Sequence, residues 1–154
     1  MTRRIMISTA LVEKPKLVIA DEPTPGLDPK LAKRAMEHFR QLADMGAAVL
    51  VITHDLELAL ETVDRVQVFY AGHTIEDASV DDFEREETLR HPYTRALWRA
   101  MPKHGFHYIG GVQPYVKDNL QGCPFAPRCD MASRECQGEI PWKVSGSGYV
   151  RCIL

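Results

Sequence analysis

The stretch that most constrains this chain runs from Leu17 to Asp28. Leu17-Val18-Ile19-Ala20 reads as a short buried strand. Asp21-Glu22 end it, and Pro23-Thr24-Pro25-Gly26-Leu27-Asp28 turns away from it. A buried strand that delivers two adjacent carboxylates at its carboxyl end is where α/β folds place their chemistry. The first acid can hold a hydrated Mg²⁺, and the second can polarise a water for attack on a phosphate. An ordinary strand running into a charged surface loop fits these residues equally well, so the rest of the chain has to decide.

The sequence predicts alternating helices and strands around that stretch. Residues 2–13 have helical spacing, with Ile5, Met6, Ala10 and Leu11 on one face. Asp28-Pro29 is a helix start, an N-cap acid followed by proline in the first turn. The helix carries a stripe of Leu31, Ala35, Met36, Phe39, Leu42 and Ala43 and stops near Gly46. That stripe is plain core. A second apolar run, 47–52, leads to Thr53-His54-Asp55, where Asp55 can cap a helix over 56–62. Arg65–Tyr70 and His73–Glu76 read as strands joined at Ala71-Gly72. This order predicts an α/β fold with a mainly parallel sheet. The first domain is assigned to residues 1–84 and the second to 85–154, where Gly, Pro and Cys replace long periodic runs and a small irregular module is expected to need a staple.

With 154 residues, the sequence has room for this division. Its net charge of −2 gives no support for a broad nucleic-acid surface. No apolar run approaches the roughly 18 residues of a membrane span, and no signal peptide is evident, so the expected location is the cytosol, where thiols stay reduced.

His54 follows the second buried strand as Glu22 follows the first. If the strands are parallel neighbours, both side chains reach one sheet edge, where the histidine can contact a γ-phosphate and orient the water activated by Glu22. These motifs resemble those of the ATP-binding subunits of ABC transporters. Leu17–Glu22 resembles the Walker B strand, which implies that Asp21 organises Mg²⁺ of Mg-ATP and Glu22 is the catalytic base. Pro25-Gly26-Leu27-Asp28 resembles the D-loop, with Asp28 reaching a dimer partner, and Ile52-Thr53-His54-Asp55 resembles the H-switch. The resemblance covers residues 1 to about 77 and implies a partial P-loop NTPase core. Pro25 stands where Ser or Thr is more usual, which implies a stiffer D-loop. No Gly-x-x-x-x-Gly-Lys-Ser/Thr and no Leu-Ser-Gly-Gly occurs in this sequence. Met1–Ile7 resembles the segment just after that signature. The expectation is the C-terminal part of a nucleotide-binding domain, truncated or completed by a separate chain, without ATPase activity alone and with its sheet split or gapped where the phosphate-loop strand would lie.

The later motifs narrow the resemblance. His91-Pro92-Tyr93-Thr94-Arg95-Ala96-Leu97, then Ile109-Gly110-Gly111-Val112-Gln113-Pro114, then Gly122-Cys123-Pro124-Phe125-Ala126-Pro127-Arg128-Cys129 with Cys136 and Cys152, resemble the C-terminal extension of oligopeptide, dipeptide and nickel importer ATPases. Pro92 fits the first turn of a short helix ending at Met101-Pro102. The cysteine spacing lacks a Cys-x2-Cys knuckle, so a zinc ribbon is not the obvious reading. The resemblance implies a four-iron (4Fe-4S) iron–sulfur cluster on Cys123, Cys129, Cys136 and Cys152; zinc, disulfides and free thiols stay open. It further implies a peripheral protein on the cytoplasmic face of the membrane, working with a second ABC ATPase subunit, transmembrane permeases and, indirectly, an extracytoplasmic solute-binding protein, and not with nucleic acid. A non-catalytic metal- or redox-sensing remnant docked on a complete subunit is the alternative, and a DNA-repair or chromosome-structuring ATPase fits less well.

Overall fold

The computed structural model describes residues 15–115 and 121–154, so the helix expected over 2–13 lies outside the described residues. The chain divides into two compact units, Met1–Val63 and Asp64–Leu154.

In the first unit, strand β1 (Leu17–Asp21) pairs in parallel with β2 (Ala48–Ile52), with Asp21 opposite Ile52. Helix α1 (Pro29–Asp44) connects them. Its N-cap is Asp28, whose Oδ1 accepts from Leu31 N at 3.1 Å. Its end is closed by Gly46 at φ +96°, a conformation that only glycine adopts without strain. Alternation decides the packing. Val18 and the partly buried Ala20, Val49 and Val51 meet Met36, Phe39 and Leu42 of α1. Each of these large side chains contributes about 1.5–3 kcal/mol by burial. The opposite face of the same strands carries Leu17, Ile19, Leu50 and Ile52, all exposed. Helix α2 (Leu56–Leu60) follows, capped by Asp55 Oδ1, which accepts from Leu58 N at 3.1 Å.

The second unit is built on an antiparallel sheet in the order β3-β4-β6-β5: β3 (Arg65–Tyr70), β4 (His73–Ser79), β5 (Lys143–Ser145) and β6 (Gly148–Val150). This corrects the expectation of a mainly parallel sheet: among the described strands only β1 and β2 run parallel. The cause is local. Ala71 and Gly72 have φ +47° and +80°, the pair of positive values of a two-residue hairpin turn, and such a turn joins only antiparallel strands. Strands β5 and β6 were read as irregular because Ser145-Gly146-Ser147-Gly148 hides a second short hairpin. Gly148 is there for space: a Cβ on it would lie 1.9 Å from Asp77 O of β4.

The compact division falls after Val63. Hairpin β3-β4 and the turn Val80–Glu84 belong with the C-terminal unit because they hold its next helix, α3 (Pro92–Ala100). Glu76 is fully buried, and its two carboxylate oxygens accept from Arg90 N at 2.9 Å and His91 N at 2.8 Å. Asp82 receives the Arg90 guanidinium on both oxygens, at 2.9 and 3.1 Å. Burial acts against the Asp82 carboxylate, yet the hydrogen bonds from Arg90 and Ser147 outweigh it and hold its pKa below the ordinary value.

Candidate functional site

The parallel register of β1 and β2 brings their carboxyl ends to one edge. Glu22 continues the ladder by donating its N–H to Ile52 O at 2.8 Å, but at φ +45° its backbone leaves the strand. A left-handed glutamate is a strained conformation of order 1–3 kcal/mol, of the kind that collects at functional sites. Its carboxylate lies beside His54, with Nδ1 at 2.9 Å from Oε1 and 3.0 Å from Oε2. The Glu22 hydrogen bond and charge raise the His54 pKa above its ordinary 6.5. Both side chains stay open to solvent. Asp21 is exposed on the last strand position beside them. The sequence-predicted acid, base and histidine therefore converge on one solvent-facing edge.

Asp28 is positioned differently. Leu27 N donates to Thr24 O at 3.0 Å across Pro25 and Gly26, and Gly26 has φ +79°. Proline then glycine with positive φ is the type II turn pattern, so Pro25 suits this loop as it stands. The carboxylate of Asp28 spends one oxygen capping α1.

The second cluster lies in the C-terminal unit. Cys123, Cys129, Cys136 and Cys152 line one recess, together with His91, Pro92 and Ile140. All four are free thiols. Burial pushes the thiols of Cys123 and Cys129 up. Three devices gather them. Cys123 N donates to Cys136 O at 2.8 Å, tying two turns together. Gly122 makes that approach possible: at φ +86°, a Cβ there would stand 2.2 Å from Cys136 O. Arg151 N extends the β6 ladder to Ile75 O at 2.9 Å and so carries Cys152 to the recess. Among the described residues, no group of three or more His, Cys, Asp or Glu side chains is arranged so that it could hold a metal ion.

Sequence reading missed what surrounds this recess. Arg128 donates from Nε to Gly110 O at 2.9 Å, from Nη2 to Ile109 O at 3.0 Å and from Nη1 to the Tyr70 hydroxyl at 3.0 Å. Its guanidinium also lies 5.8 Å from the Tyr70 ring centre and 5.9 Å from that of Phe125. The Ile109-Gly110 motif is thus an acceptor pair for one arginine. His91 is buried, and desolvation lowers its pKa to about 4. The available signal was charge: Glu76 inside a strand pattern and Arg128 inside a cysteine loop are expensive placements unless partnered.

Known proteins resemble the chain over nearly its whole length. Residues 75–136 match the family model described as "Oligopeptide/dipeptide transporter, C-terminal region". The chain is 43% identical, over 92% of its length and 44% of the other's, to a probable peptide ABC transporter ATP-binding protein of Sinorhizobium fredii. It is 38% identical to the dipeptide transport ATP-binding protein DppD of Haemophilus influenzae, over 99% of this chain and 48% of that one. It is 39% identical to the oligopeptide transport ATP-binding protein AppD of Bacillus subtilis, over 100% of this chain and 49% of that one. The chain therefore spans about half the length of these relatives. A solved ATP-binding subunit of an ABC transporter superposes with a TM-score of 0.50 at 33% identity, covering 62% of this chain and 40% of the other. No helix among the described residues is long and apolar enough to cross a membrane.

Proposed function

Because the chain belongs to the oligopeptide/dipeptide-type ATP-binding subunits of ABC transporters, we propose that it supplies the acid, base and histidine of an ATPase site that energises uptake of peptides, nickel or a related small solute. The observation that carries this reading is the Glu22–His54 contact at the carboxyl edge of two parallel strands, with Asp21 beside it. In that role Asp21 orders the Mg²⁺ that arrives with ATP. Glu22 takes a proton from the attacking water. His54 moves from the Glu22 carboxylate toward the γ-phosphate once nucleotide is bound. Asp28 uses its second oxygen toward a partner ATPase subunit. The phosphate loop and signature are contributed by residues outside this sequence, since neither motif occurs in it. Purified alone, the chain binds Mg-ATP weakly or not at all by calorimetry and turns none over.

The test joins residues 1–154 in frame to the N-terminal half of the Bacillus relative. The chimera hydrolyses ATP, and Glu22→Gln abolishes turnover while ATP stays bound. A folded, ATP-binding chimera with no Glu22-dependent turnover overturns the proposal. In the complete assembly the subunit sits peripherally on the cytoplasmic face against membrane permeases, fed by a solute-binding protein outside.

The four cysteines are proposed to hold a four-iron cluster. What supports this is their convergence on one recess as free thiols in a loop-rich unit. Cys123, Cys129, Cys136 and Cys152 would hold it, and bound there it would supply a one-electron centre and a staple for the unit. Iron and sulfide in anaerobically purified protein are expected; one zinc and no colour would overturn it.

The recess also keeps a second role open, a metal- or redox-sensing module docked on a complete subunit. The coding sequence upstream of Met1 separates the two: an in-frame phosphate loop excludes the sensing role.

A further inference from the structure

One buried side chain at the cysteine recess has no place in either mechanism. His91 is 1% exposed, and its ring lines the recess with the four thiols. Its Nδ1 faces the Tyr93 backbone N–H at 3.0 Å. An amide N–H can only donate, so Nδ1 is the bare acceptor and the ring proton sits on Nε2. Nε2 lies 3.7 Å from Cys123 Sγ, within the longer reach of a hydrogen bond to sulfur.

The ring cannot easily turn away. Both backbone N–H groups at its root, those of Arg90 and His91, are held by the buried Glu76 carboxylate. The Phe125 ring lies 6.0 Å away, tilted against the imidazole. The Ala126 N–H is engaged by the Cys123 carbonyl oxygen at 3.1 Å, and it is the His91 ring that addresses the sulfur. A sulfur carrying negative charge, as a thiolate or a cluster ligand does, is stabilised by such a donor.

We infer that His91 is a positioning residue of the cysteine centre, donating Nε2–H to Cys123 Sγ and withdrawing electron density from that sulfur. The histidine of the HPY motif is then the outer-shell partner of the first cysteine, besides being the N-cap of α3. The consequence for electron transfer rests on the cluster reading above; the hydrogen bond does not. Hydrogen bonds to ligand sulfurs raise a cluster's reduction potential, and outer-shell donors fix the ligand's orientation.

The test compares anaerobically purified wild type with His91→Phe and His91→Gln. In protein that carries iron, His91→Phe shifts the oxidised-to-reduced ratio about tenfold toward oxidised at fixed potential, or 59 mV more negative for one electron. His91→Gln, which keeps an N–H donor, recovers part of that shift. Equal potentials in all three proteins overturn the inference. In protein that carries no iron, the cluster reading fails and the hydrogen bond is judged by nitrogen-15 histidine spectra. His91 is then found as the Nε2–H tautomer, with an Nε2–H resonance that moves in Cys123→Ala. The opposite tautomer, or a resonance indifferent to Cys123→Ala, overturns it. This arm also decides the matter if His91→Phe does not fold.

Discussion

Glu22 and His54, thirty-two positions apart in sequence, share a two-oxygen contact at 2.9 and 3.0 Å, and the strained φ of +45° at Glu22 accompanies it. The pair is solvent-exposed, so it acts as a latch on His54 more than as a source of stability. The hydrogen bond and charge of Glu22 raise the His54 pKa. The linkage follows from that direction. The favourable pairing is present in full below the ordinary histidine pKa and fades as pH rises through the raised value. In proton NMR titration, His54 is therefore expected to titrate above 6.5, and Glu22→Gln to bring it back down. An unchanged midpoint in Glu22→Gln would show that the contact does not persist in solution.

Arg128→Lys tests whether one guanidinium organises the C-terminal unit. Lysine keeps the charge but cannot reach Gly110 O, Ile109 O and the Tyr70 hydroxyl together, because the three donors must diverge from one planar group. The loss is expected at about 1–3 kcal/mol in urea unfolding, with the 109–110 segment becoming sensitive to protease. A lysine variant as stable as wild type would mean that the charge alone suffices.

Much of the first unit was legible because its signals are local. The Asp28-Pro29 start, the Gly46 stop and the period of α1 all act within a few residues, and each appears in the structure. The Asp21, Glu22 and His54 edge was legible because parallel pairing was the simplest way to bury both apolar runs. The second unit was legible only as a set of motifs. Strands β5 and β6 have three residues each, too short to show an alternation. The buried Glu76 looked like one more strand carboxylate, since its partners are backbone groups fourteen and fifteen residues later. Sequence patterns report which face is apolar; they do not report which backbone N–H groups a folded turn leaves pointing inward.

Glu76→Gln measures that buried contact. The amide keeps one acceptor oxygen, but its NH₂ group must face the N–H of Arg90 or His91, donor against donor. At 0% exposure water cannot repair the mismatch. A loss of about 2–4 kcal/mol is expected, in the range for breaking a buried charged hydrogen-bond network. Glu37→Gln, at an exposed position of α1, serves as the control and is expected to stay within about 0.5 kcal/mol.

Gly148→Ala and Gly110→Ala separate a glycine needed for space from one that is not. The added methyl at 148 meets the Asp77 carbonyl oxygen at 1.9 Å, and a backbone neighbour cannot swing aside. Relief requires parting β4 from β6, so a loss of about 3 kcal/mol or a failure to fold is expected. At Gly110 nothing stands within 4 Å of the new methyl, and the expected change is below about 0.5 kcal/mol. Equal effects at the two positions would contradict the β4–β6 pairing.

Acid should unfasten the Asp82–Arg90 pair. Burial of Asp82 works to raise its pKa, but the Arg90 and Ser147 hydrogen bonds and the Arg90 charge prevail, and the net direction is down. The unfolded chain therefore binds this proton more readily than the folded one, and stability rises with pH across the window between the two pKa values. The contribution is complete above the ordinary aspartate value near 4 and is lost as pH falls through the depressed one. Glu86, held low by Arg99, contributes in the same direction, so the informative quantity is a difference between proteins. Urea unfolding of wild type and Asp82→Asn at pH 6 and again near pH 3 supplies it. The variant is less stable at pH 6, and the gap narrows on acidification because the wild type has then lost the same charge. A gap that is constant with pH would mean that the stabilisation comes from the shape of the side chain and not from its ionisation.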